Sequence, residues 1–193
     1  GVTGVQTCAL PILTFGATAN AVIQVGAIPV LVDVDHDSMF INVEEAERKI
    51  TKRTKAIIPV HLYGKSGDMI RVVDLAKRHK IRVIEDAAEA LGTVFQDQHV
   101  GTFGDVGVFS FYANKTITTG EGGMLVFSSG SLADRARIMR THGFDTSKRY
   151  WHLEWGTNFR LTNMQAAIGV GQMNKVTKFL SRSEEHTSEL QSR

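Results

Sequence analysis

Cysteine occurs once in the 193 residues, at Cys8, so no disulfide can form within the chain. Neither sign of charge dominates. The 22 Lys+Arg against 20 Asp+Glu leave a net charge of +2, without the concentrated basic face that nucleic-acid binding proteins carry. A hydrophobic content of 42% with balanced charges excludes a disordered polyelectrolyte and is enough to build one sizeable core. No long apolar run is present. The best stretch, residues 17–32, is broken by Asn20, Gln24, Gly26 and Pro29 and then meets Asp33, so no membrane span is expected. The histidines His61, His79 and His99 stand at no metal-ligand spacing, and no metal site is expected. The start of the chain lacks a basic n-region, so no signal peptide is expected and a cytoplasmic location is the default.

The two ends read as foreign to the rest. Residues 1–12 (GVTGVQTCALPI) and 182–193 (RSEEHTSELQSR) resemble translations of opposite strands of a sequencing adapter. The expectation is a gene fragment in which residues 13–181 are native, the segment being a partial domain.

Within residues 13–181 strand and helix patterns alternate. Apolar, β-branched runs predict strands over 27–35 (AIPVLVDVD), 55–62 (KAIIPVHL), 81–85 (IRVIE), 105–112 (DVGVFSFY) and 123–127 (GMLVF). Helical spacing predicts helices over 43–50, 68–80, 131–141 and 162–176, with Asp68 and Thr162 as caps and Met69, Val72, Val73 and Ala76 on one face. The fold class this implies is α/β: a mainly parallel sheet with helices on both faces. Ligands of such sheets sit beyond the carboxyl ends of the strands, which here points to Asp35, His61, Asp86 and the segment 113–123. Asp33 and Asp35 read as turn or capping acids.

Asp86 follows one strand and Lys115 another, the latter before the run TTGEGG at 118–123. Two readings fit a lysine and an aspartate at neighbouring strand ends. One is an ordinary surface ion pair. The other is a pyridoxal phosphate site, in which the lysine forms a Schiff base with the cofactor aldehyde and the aspartate keeps the pyridine nitrogen protonated, making the ring an electron sink. Ser110 and the glycines then serve the phosphate, and an aromatic such as Phe15 covers the ring.

The motifs SFYANKTITTGEGGM at 110–124, VIEDAAEALGT at 83–93 and AIIPVHLYG at 56–64 resemble the sugar aminotransferase family named for DegT, DnrJ, EryC1 and StrS. The resemblance covers residues 13–180. It implies the large domain of a fold-type-I pyridoxal phosphate aminotransferase, here incomplete. It implies that Lys115 is the Schiff-base lysine, Asp86 the pyridine-nitrogen partner, Ser110 the phosphate ligand, Phe15 the stacking aromatic, and Glu89 a neighbour of the ring. It also implies that Asn158 reaches the phosphate in the neighbouring subunit, within a homodimer with shared active sites. Lysine rather than histidine at position 115 favours transamination over dehydration. Glutamate is the implied donor, in a ping-pong reaction, and the acceptor a nucleotide-linked 4-keto-6-deoxy sugar. The runs VGTFGDV (100–106), KRYWH (148–152) and NFRLTN (158–163) resemble the members that act on GDP-4-keto-6-deoxymannose, with UDP- and dTDP-linked keto sugars as the alternative. His61, Arg160 and His152 are candidate substrate-binding residues. His61 fits a core histidine equally well, and the loop at 148–152 fits a solvated loop equally well. The family's Asn/Ser-Gly-Thr phosphate cradle and small C-terminal domain have no counterpart in these residues, and Gly16 stands where members more often carry a larger side chain.

Overall fold

The computed structural model describes residues 5–148 and 150–182. These divide after Phe109 into two units.

The first unit is built on parallel strands in the order β2-β1-β3-β4-β7. They are β1 (Thr7–Pro11), β2 (Ile28–Val32), β3 (Thr54–Ile57), β4 (Arg82–Asp86) and β7 (Val106–Ser110). Helices α1 (Gly16–Gln24), α2 (Val43–Lys49) and α3 (Met69–His79) connect the first four. Because side chains alternate along a strand, each strand feeds two cores. Ala9, Ile57 and Val83 join the α2 and α3 side with Val72, Leu75 and Ala46. Their chain neighbours Leu10, Ile58 and Ile84 join the α1 side with Val22 and Ala19. Helices therefore cover both faces, as the alternating pattern predicts.

Caps set the helix ends. Asn42 accepts from the Glu45 amide and Asp68 from the Arg71 amide, each satisfying an orphan donor of the first turn. The α3 face buries Met69, Val72, Leu75 and Ala76, and Lys80 ends the helix in the left-handed region. Asp35 is a turn acid: its Oδ1 accepts from the amides of Asp37 and Ser38. Those hydrogen bonds, from Ser38 first, hold its carboxyl below the usual carboxylate range.

Three features differ from the sequence expectation. Thr7–Pro11, inside the segment read as foreign, forms β1 and pairs with both β2 and β3. Leu10 there is fully buried. Burial pushes the Cys8 thiol up, against a smaller opposing pull from the Ala56 backbone. Next, β3 stops at Ile57 because Pro59 has no N–H to give a ladder, although Val60 bridges to Asp86. Finally, a short hairpin, β5 (Val94–Phe95) with β6 (Gln98–His99), turns at Gln96 and Asp97, both at positive φ. It lacks the glycine that usually marks such a turn.

The second unit holds β8 (Gly123–Phe127), α4 (Gly130–Met139) and α5 (Asn163–Met173). The helix expected to reach residue 176 ends at Met173. Thr162 opens α5 with a capping box, its hydroxyl accepting from the Gln165 amide while Gln165 reaches back to the Thr162 amide. Neither α4 nor α5 carries a buried residue. Among the described residues, no helix is long and apolar enough to cross a membrane.

Candidate active site

The first unit presents its candidate residues at the carboxyl ends of β3 and β4. Asp86 is the last residue of β4, half-buried and held in the sheet by its backbone: its amide donates to the Pro59 carbonyl and its carbonyl accepts from the His61 amide. Its side chain is positioned from two directions. Oδ1 accepts from the Ala88 amide at 3.2 Å, and Oδ2 accepts from the Thr18 hydroxyl at 2.6 Å. Thr18, nearly buried on the first turns of α1, is itself 2.9 Å from the Thr14 hydroxyl. Phe15 stands between these threonines as the N-cap of α1, its side chain 78% exposed.

Glu89 and His61 flank this strand end differently. Glu89 is exposed, and its Oε2 accepts from the Tyr63 amide at 3.0 Å, supporting a turn where Tyr63 has a φ of 52°. His61 is fully buried, with Nε2 at 3.1 Å from Oε2 of the equally buried Glu85 and Phe40 stacked on its ring. A ring enclosed between Glu85 and Phe40 has no surface to offer a substrate in this structure, and its Nδ1 is buried without a hydrogen-bond partner among the described residues. Glu85, which sequence reasoning passed over, is the centre of this layer. Besides His61 it accepts from the amides of Gly101, Phe103 and Gly104, each at 2.7 Å. It thereby pins residues 101–104 to the base of the strand that ends in Asp86.

Ser110 closes β7, and Lys115 lies on the loop that follows it in the second unit. The Ser110 hydroxyl oxygen accepts from the Tyr112 amide, and the Lys115 amide donates to the Tyr112 carbonyl. Both side chains are half-buried. The run after Lys115 is ordered by its threonines: the Thr118 hydroxyl donates to the Phe111 carbonyl and that of Thr119 to the Glu121 carbonyl. Two glutamines of α5 brace it, Gln172 accepting from the Thr118 amide and Gln165 donating to the Glu121 carbonyl. Gly122 has a φ of 148°, and a Cβ there would meet Thr119 Oγ1 at 2.6 Å, so only glycine fits this turn.

The remaining candidates are exposed parts of the second unit. Asn158 accepts from the Arg160 guanidinium at 3.0 Å, so these two side chains form a pair. His152 is apart from them, its Nδ1 at 2.8 Å from the His142 carbonyl and its ring 4.5 Å from that of Phe144. Lys148 covers the Trp151 ring at 4.1 Å, whereas Arg149 of the same loop lies outside the described residues. Among the described residues no cluster of histidine, cysteine and acidic side chains could hold a metal ion.

These side chains fit pyridoxal phosphate. Asp86 meets only neutral donors among the described residues, one on each oxygen, which leaves acceptor capacity for a ring N–H. Phe15 offers an open aromatic face, Ser110 a hydroxyl and Lys115 an amine. Each unit thus carries side chains of the chemical types that pyridoxal phosphate requires.

The comparisons agree. The model of the DegT/DnrJ/EryC1/StrS aminotransferase family matches residues 1–193, and the chain belongs to that family. It is 47% identical over 176 residues to the GDP-perosamine synthase of Escherichia coli O157:H7, covering 91% of this chain and 48% of that protein. It is 48% identical over 160 residues to the UDP-N-acetyl-3-dehydro-alpha-D-glucosamine 3-aminotransferase of Acidithiobacillus ferrooxidans, covering 82% of this chain and 43% of that one. Among solved structures it resembles the PLP form of the sugar aminotransferase Spr1654 from Streptococcus pneumoniae, with a TM-score of 0.92 and 26% identity. That likeness covers 99% of this chain and 54% of the other. The family and its relatives are pyridoxal phosphate-dependent sugar aminotransferases. The chain spans about half the length of the curated relatives it matches.

Proposed function

We propose that the whole protein carrying this chain transfers an amino group from glutamate to C4 of a nucleotide-linked 4-keto-6-deoxy sugar, GDP-4-keto-6-deoxymannose being favoured, for cell-surface polysaccharide or amino-sugar biosynthesis. The observation that carries this reading is the 47% identity to a GDP-perosamine synthase over 91% of the chain, spanning both Asp86 and Lys115. Pyridoxal phosphate, when bound, supplies an electron sink for the substrate carbon. Lys115 holds it through its amine and, once released, moves a proton at the reacting carbon. Asp86 would pair with the ring nitrogen, Phe15 would cover the ring, Glu89 would lie at the ring edge and Ser110 would bind the phosphate. Asn158 serves the phosphate of a second subunit in a homodimer. Arg160 and His152 bind the nucleotide sugar, where an arginine fork suits a diphosphate.

A second reading is favoured by one specific observation: the 48% identity to an aminotransferase of a UDP-linked sugar. Assay of the whole protein with glutamate and GDP-, UDP- and dTDP-linked keto sugars decides. Preference for the GDP-linked substrate is the expected outcome, and preference for another nucleotide would replace it with the second reading.

Residues 13–181 are, in this proposal, a partial cofactor-binding domain flanked by foreign segments at 1–12 and 182–193. Thr7–Pro11 makes a strand regardless of origin, because its apolar side chains match the two cores that β1 faces. Reading the source locus outward from within residues 13–181 is expected to depart from both tails; recovery of both would overturn this assignment.

A further inference from the structure

The hydrogen-bond chain behind Asp86 has a direction. A hydroxyl has a single proton to give. The Thr18 hydroxyl spends it on Asp86 Oδ2 at 2.6 Å, since a carboxylate oxygen offers nothing in return. At the 2.9 Å contact between Thr14 and Thr18, Thr14 is therefore the donor, this contact being shorter than its 3.4 Å approach to the Phe15 carbonyl. The chain runs Thr14 to Thr18 to Asp86. It links the first turns of α1 to the end of β4, across 68 residues of sequence. Thr18 is only 7% exposed, so water does not readily take the place of its hydroxyl. The same α1 terminus carries Phe15, between the two threonines.

We infer that Thr18 is a positioning residue for the cofactor, acting through Asp86. Its hydroxyl and the Ala88 amide each occupy one carboxylate oxygen and so set the plane of the carboxylate. The remaining acceptor positions are thereby aimed before the cofactor arrives. Thr14 supports Thr18 in turn. Anchoring α1 to β4 also fixes the register of the helix start from which the Phe15 ring projects. The inference rests on the assignment of Asp86 to the ring nitrogen made above. It adds that the precision of that contact is set by a hydroxyl that touches no part of the cofactor.

The test is a cofactor-binding titration with pyridoxal phosphate, followed by absorbance, on the whole protein. Thr18→Val keeps the shape and removes the donor. It is expected to weaken binding about tenfold, while Thr18→Ser, which keeps the donor, stays within about twofold of the parent. In an Asp86→Ala background, Thr18→Val is expected to cause no further loss, because its effect passes through the carboxylate. Unchanged binding by Thr18→Val overturns the inference. So does an equal loss in the Asp86→Ala background, which would mark Thr18 as a general packing residue. If Thr18→Val does not fold, Thr14→Val carries the same test one step back: about threefold weaker binding is expected, and parental binding would overturn the inference. If the parent protein with all these residues intact binds no pyridoxal phosphate, the cofactor assignment itself fails, and this inference with it.

Discussion

The two units surround their candidate residues in different ways. The first encloses its candidate aspartate in structure of its own making. Its sheet is covered on both faces, α3 buries four side chains, and beneath Asp86 lies the fully buried pair of Glu85 and His61. The second carries Lys115 on a loop braced by polar contacts from α5, and neither α4 nor α5 buries a residue. Phe159, Met164, Ile168 and Val170 all remain exposed. The two candidate residues therefore sit in differently built surroundings. Asp86 ends a strand of a two-sided core, whereas Lys115 stands in a hydrogen-bonded turn with Phe111, Ile117 and Thr119 buried on either side of it.

That contrast can be broken by experiment. The largest effect concerns function without stability. Lys115→Ala in the whole protein is expected to abolish transamination while changing unfolding free energy by less than about 1 kcal/mol, measured by urea titration beside the activity assay. Retained turnover would remove the lysine from its role. Glu85→Ala is the converse. It strips the acceptor from the buried Gly101 amide, from the part-buried Phe103 and Gly104 amides and from His61, and a loss of about 3–5 kcal/mol is expected in the same urea titration. A loss below about 1 kcal/mol would mean that the buried layer does not hold the strand end.

Hydrophobic truncation sharpens the comparison further. Leu75→Ala on the buried face of α3 is expected to cost about 2–5 kcal/mol. Ile168→Ala on the exposed face of α5 is expected to cost no more than about 0.5 kcal/mol in the isolated chain. Equal costs would show that α5 is covered. The smallest effect is electrostatic. Glu47 is held below the usual carboxylate range by its hydrogen bond from Arg78 and then by His79. A carboxyl lowered in the folded state adds stability above its unfolded value and loses it as pH falls through the folded one. The melting-temperature gap between the parent and Glu47→Gln is therefore expected to close between about pH 7 and about pH 3.

Much of this was legible in the sequence because strands and helices announce themselves by period. The β-branched runs became β2, β3, β4 and β7, and Asp68 and Thr162 cap the helices that their positions predict. Asp86 was legible as the residue just after a strand, the place where α/β sheets present ligands. What stayed hidden depends on tertiary contact. Glu85 sits beside Asp86 and looks like a second surface acid, until burial and three converging amides reveal it as a structural hub. Thr14 and Thr18 are one helical turn apart, a spacing that carries no message until Asp86 arrives from another strand. His61 pointed to a strand end in sequence, but the alternation that turns its neighbours into the core turns its ring there as well. β1 was missed because its residues were assigned by origin rather than by their apolar pattern.

Everything proposed for the reaction turns on Lys115 as the residue that would hold pyridoxal phosphate. The direct measurement is to mix the whole protein with the cofactor, reduce with borohydride, digest and weigh the peptides. The added pyridoxyl mass is expected on Lys115 and is expected to disappear in Lys115→Ala. Label on another lysine, or no label on the intact protein, would contradict it.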